Sequence, residues 1–74
     1  MTMTAPQITS THSEVRSIAP DRLRVELDGE VVGFIDIVGQ VYVALLGNMY
    51  PYAVEIAQTL DPNSAADAII AAAQ

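Results

Sequence analysis

Glu30 to Leu46, EVVGFIDIVGQVYVALL, is a nearly unbroken apolar run, and how it is read decides the fold. Val31, Val32, Ile35, Ile37, Val38, Val41 and Val43 are β-branched, and Phe34 and Tyr42 are aromatic. Such side chains suit a pleated surface better than a helix. Val38-Gly39-Gln40 divides the run, because glycine adopts a positive φ at little cost, so the pattern predicts two strands joined by a tight turn. Successive strand side chains point to opposite faces. Val31, Ile35 and Ile37 are therefore expected on one face and Val32, Phe34 and Val38 on the other, which makes both strands central and apolar twice over. A membrane span is the rival reading. The run is short for one, Gly33 and Gly39 interrupt it, and Asp36 near its middle costs about 3 kcal/mol to insert.

On the N-terminal side, Leu23, Val25 and Leu27 alternate with Arg24 and Glu26 in the period of a half-buried strand. Asp28-Gly29 is a strong hairpin signal leading into Glu30, so three strands form an antiparallel meander. Pro20-Asp21 punctuates the chain before it. Residues 1–19, rich in Thr and Ser and without a sustained period, are expected to be a flexible N-terminal arm, with residues 20–74 forming one small domain. The sole histidine, His12, falls in that arm, where an exposed imidazole is expected to be inert. No basic start with an uninterrupted apolar core marks a secretory signal, so cytoplasmic residence is expected.

On the C-terminal side, Gly47-Asn48-Met49-Tyr50-Pro51 has turn composition. Tyr52 to Leu60 reads two ways. As a strand, Val54, Ile56 and Leu60 share a face; as a helix, Ala53, Ile56, Ala57 and Leu60 follow helical spacing. The strand is favoured because Asp61 is a good N-cap and Pro62 suits the first helical position, so a helix starts there. The alanine-rich end, PNSAADAIIAAAQ, then gathers Ala65, Ala66, Ile69, Ile70 and Ala73 on one side. The expected fold is α+β: an antiparallel β-meander of three to four strands followed by one C-terminal helix, with three strands and two helices as the alternative.

Seventy-four residues allow one domain, and so small a chain buries only roughly 60% of the surface its unfolded form exposes. Without cysteine there is neither a disulfide nor a thiolate metal site, which leaves oligomerisation as the usual additional source of stability. The chain carries nine acidic residues against three arginines and no lysine, a formal charge of −6. Binding nucleic acid through phosphates needs clustered cations, so a DNA-binding sheet using Arg16, Arg22 and Arg24 is disfavoured.

Chemistry is equally unsupported. A catalytic reading needs a nucleophile with a base, paired carboxylates or a metal cluster, and none assembles here. Ser64 has no partner base, and Asp61-Pro62-Asn63-Ser64 lacks the glycine and closing glutamate of a calcium loop. Asp36 is the one acid within an apolar run; it is expected to point outward or to bond a turn amide. No enzyme activity, cofactor or metal is therefore expected.

Together, GEVVGFIDIVGQVYVALLG, AVEIAQTL and the short alanine-rich helix make residues 22–73 resemble small accessory proteins of actinobacteria and their phages, a group mostly without assigned activity. The resemblance carries over no site residues.

One helix covers one face of a four-stranded sheet, not both. If it lies on Val31, Ile35, Val43 and Leu45, then Val32, Phe34, Tyr42, Ala44 and Leu46 look outward unless the sheet curls strongly, and an exposed apolar patch of that kind marks an interface. The expected function is a small non-enzymatic protein-protein interaction module, self-associating as a homo-oligomer through that face or binding a protein partner. The alternative is an acidic inhibitor or nucleic-acid mimic, with Glu26, Asp28, Glu30, Asp36 and Glu55 presenting a negative surface to a basic DNA-binding protein.

Overall fold

In the computed structural model, which describes residues 12–74, the chain folds as an antiparallel meander followed by one helix, an α+β arrangement. The strands are β1 (Ser13–Ala19), β2 (Arg22–Leu27), β3 (Glu30–Val38), β4 (Val41–Leu46) and β5 (Val54–Thr59), hydrogen-bonded in chain order. A 3-10 turn, Tyr50–Tyr52, precedes β5, and helix α1 spans Pro62–Ala73. The sheet thus has five strands, one more than the upper expectation. The addition is β1, which comes from the segment expected to belong to the arm. Its backbone pairs along β2, and the rest of the expected arm, residues 1–11, lies outside the described residues. Tyr52–Leu60 resolves as expected into a strand, with Tyr52 itself in the 3-10 turn.

Local chemistry accounts for the turns. Asp28 (φ 52°) and Gly29 (φ 85°) are both left-handed, the backbone a twist-matched two-residue hairpin requires. In the β3–β4 turn only Gly39, the first central residue, is left-handed (φ 63°), the other geometry that matches the twist of a two-residue hairpin. Asp61 accepts a hydrogen bond from the Ser64 amide at 2.9 Å, capping α1, and Pro62 occupies its first turn.

The helix packs on one sheet face and buries Ala65, Ala66 and Ile69 against Val25, Ile35 and Ala44. Gly33 makes this approach possible. A Cβ there would lie 2.5 Å from the Leu45 carbonyl oxygen and 2.6 Å from Cγ2 of Ile69.

The side chains that meet the helix differ from those expected. A two-residue turn pairs Val38 with Val41, so Ile35 partners Ala44 and Ile37 partners Tyr42. Odd positions of β3 therefore share a face with even positions of β4. Tyr42, Ala44 and Leu46 lie under the helix with Ile35, while Val43 and Leu45 share the opposite face with Phe34 and Asp36. A register shift between Val25 and Glu26 inserts Val32 as an extra residue, and it too packs on the helix-side core.

Candidate functional site

On the face away from the helix, Phe34 is only 6% exposed. The ring of Tyr50, carried over the sheet by the 3-10 turn, meets it edge to face at 5.6 Å between centroids. The Tyr50 hydroxyl donates to Oδ2 of Asp36 at 2.6 Å, and Arg22 Nε donates to Oδ1 at 3.0 Å. The Arg22 guanidinium also stacks 3.6 Å from the Tyr50 ring centre, a cation–π contact. The hydrogen bond to Asp36, with some desolvation, pushes the Tyr50 phenol above its ordinary range, and the same carboxylate raises Arg22. Asp36 thus stands on the outer face, half-buried, and bonds Arg22 and Tyr50 rather than a turn amide. Both its oxygens are engaged, and the Ser64 hydroxyl, expected to lack a partner, donates to Oδ2 of Asp61 at 3.1 Å, the carboxylate that caps α1.

The expected open face formed by Val32, Phe34, Tyr42 and Leu46 is therefore corrected. Val32, Tyr42 and Leu46 pack against the helix-side core, and Phe34 stands on the other face under Tyr50. Exposed large apolar side chains lie instead at the sheet's margins: Val15 and Ile18 on β1, Val38 at a turn, and Met49, Tyr52, Val54, Ile56 and Leu60 around β5. Among the described residues no strand pairs with the outer edge of β1 or of β5, and free strand edges are templates for another chain.

The acidic residues are also dispersed. Glu26 bonds Arg24 at 2.9 Å and lies 3.5 Å from Arg16, and Asp36 is held by Arg22 and Tyr50. Asp28 accepts from the His12 amide at 2.9 Å, Glu30 begins β3 exposed, and Glu55 accepts from Gln58 at 2.8 Å. Among the described residues, no three His, Cys, Asp or Glu side chains gather as they would to hold a metal ion, and no helix is long and apolar enough to cross a membrane.

The β1 edge has an unusual charge arrangement that sequence patterning missed, because β1 itself was not expected. Across the β1–β2 ladder, Glu14 stands opposite Glu26 and Arg16 opposite Arg24. Directly opposed like charges destabilise a sheet. The ion pairs Arg16–Glu14 (2.7 Å) and Arg16–Glu26 (3.5 Å) offset this along the strand and across the diagonal. The His12 carbonyl accepts from the Asp28 amide at 2.7 Å. By antiparallel alternation, His12, Glu14 and Arg16 direct their backbone groups at β2, while Ser13, Val15 and Ser17 direct theirs at solvent.

No family model matches this sequence, and neither a curated protein nor a solved structure matches it. The described residues define the class at hand: a small meander-plus-helix domain whose two outer strands are each paired along one edge.

Proposed function

We propose that the chain is a small non-enzymatic interaction module that self-associates by pairing β1 with β1 of a second copy, antiparallel, about an axis through Val15. The observation carrying this reading is the pair of like-charge rows at the β1–β2 edge. With Val15 opposite Val15 of the second copy, Glu14 faces Arg16 of that copy and Arg16 faces its Glu14. Each like-charge row then gains the opposite sign. The outward backbone groups allow that register, and shifting it by one hydrogen-bonding step either way opposes Glu14 to Glu14 or Arg16 to Arg16. The pairing uses the same patch on both copies, as two-fold symmetry demands. It also brings together the two exposed Val15 side chains, which lie on the helix side beyond the reach of α1. Accessory-protein character of the actinobacterial and phage kind and a cytoplasmic location belong to the same proposal, the latter supported by a chain with no cysteine to oxidise. An acidic mimic of nucleic acid has less support, since Glu26 and Asp36 are already neutralised by arginines.

Val15→Pro tests this reading directly. It removes an outward N–H while leaving the ladder to β2 intact, a substitution that edge strands tolerate. Sedimentation velocity over a wide concentration range should show a dimer for the wild type and a folded monomer, by circular dichroism, for the variant. An equally associated variant would place the contact elsewhere.

A further inference from the structure

We infer that the opposite edge, β5, captures an extended basic and apolar segment of another protein by strand addition. Among the described residues no strand pairs with the outer edge of β5, where Val54 is 63% exposed and Ile56 is exposed, and Tyr52 (77%) and Leu60 (79%) extend the apolar surface just beyond the strand's two ends. An open cleft of about 250 Å³ lined by Val41, Gln58, Thr59 and Leu60 adjoins the C-terminal end of β5, where an incoming side chain can seat.

Charge separates this edge from the first. All three arginines lie on β1 and β2, and each is ion-paired with a carboxylate. From Gly29 onward the only charged side chains are Glu30, Asp36, Glu55, Asp61 and Asp67. A second copy laid along β5 would bring another Glu55 and no cation to meet it. The register shift between Ala44 and Leu45 leaves Ile56 as an extra residue in β5. A lysine- or arginine-bearing strand suits the edge instead. Glu55 partners Leu45 on the face away from the helix, and Val54 partners Leu46 on the helix side. The added strand therefore alternates, with cationic side chains beside Glu55 and apolar ones beside Val54. Main-chain bonds supply the affinity and this alternation the specificity.

The test is a titration of the isotope-labelled wild-type protein, followed by NMR, with a blocked eight-residue peptide alternating lysine and valine. The expected result is saturable shifts along β5 and the Leu60 cleft, with at least tenfold weaker binding to the glutamate-valine counterpart. Glu55→Lys should reverse the preference between the two peptides, and methylating alternate peptide amides should abolish binding. Equal binding of both peptides, shifts away from β5, or β5 signals that move on concentrating the protein alone would each overturn the proposal; the last would make a second copy the occupant. Association through β1 reads out on Ser13–Ser17 signals, so failure at either edge is distinguishable from failure at the other.

Discussion

Gly33→Ala tests the seating of the helix on the sheet. The added Cβ would stand 2.5 Å from the Leu45 carbonyl oxygen and 2.6 Å from Cγ2 of Ile69, against roughly 3.5–4.0 Å for a comfortable carbon contact. The Ile69 methyl belongs to a side chain that is wholly buried, and the Leu45 oxygen belongs to the backbone of the adjoining strand. Neither can yield without moving α1 or β4. Overpacking of this kind costs about 1–3 kcal/mol, and a backbone clash places the cost near the upper end. The lost flexibility of the unfolded chain returns roughly 0.4–1 kcal/mol. The net is about 2 kcal/mol, a large share of the stability of so small a domain. At roughly 4–8 °C per kcal/mol, the midpoint of thermal unfolding, followed by circular dichroism, should fall by about 8–16 °C. A midpoint within about 2 °C of the wild type would refute the packing of α1 over Gly33.

Two further expectations concern local contacts. Tyr50→Phe keeps the ring over Phe34 but removes the bond to Asp36, so it should lower the melting temperature more than Tyr52→Phe, whose ring is exposed. The neutral phenol is the donor, so this stabilisation is complete below pH 10, the ordinary tyrosine value, and is lost as pH rises through the raised value in the fold; alkaline melts should show the decline in wild type and a weaker one in Tyr50→Phe. Asp61→Ala removes the cap on Ser64 and should cost about 1 kcal/mol, a fall of roughly 4–8 °C in the same assay.

Much of this fold was legible because its signals are local. Asp28-Gly29, Gly39 and Asp61-Pro62 each specify backbone geometry within a few residues, and they delimit β2, β3, β4 and α1. β1 was hidden for a physical reason. An edge strand beyond the helix needs no apolar face, so SEVRSIA carries serine and charge where a central strand would carry valine. Its signal was the Glu-Val-Arg alternation mirrored by Arg-Val-Glu at 24–26 across Pro20-Asp21. The facing of β4 was misread because strict alternation was carried through a two-residue turn, which exchanges odd and even positions. Val32 moved to the helix side through a bulge that no residue type announces. The cover on Phe34 depends on Tyr50, sixteen positions away in the chain, and periodicity is blind to such a contact. The candidate edges emerged only when the ladder showed which residues stand opposite which.

Self-association through β1 is tested most directly by charge reversal in two halves. In the proposed register, Glu14→Arg or Arg16→Glu alone turns both symmetric Glu14–Arg16 contacts from attraction to repulsion. At about 1 kcal/mol for each reversed contact, the dimer should weaken roughly 30-fold. Within one chain, each single reversal relieves a like-charge row, so the monomer should stay folded. Sedimentation velocity of each variant alone, and of the two mixed, is the decisive measurement. The expected result is two monomeric variants that associate when mixed, at wild-type strength, with the double variant also dimeric. Single variants that dimerise like the wild type, or a mixture that stays monomeric, would contradict pairing through this edge.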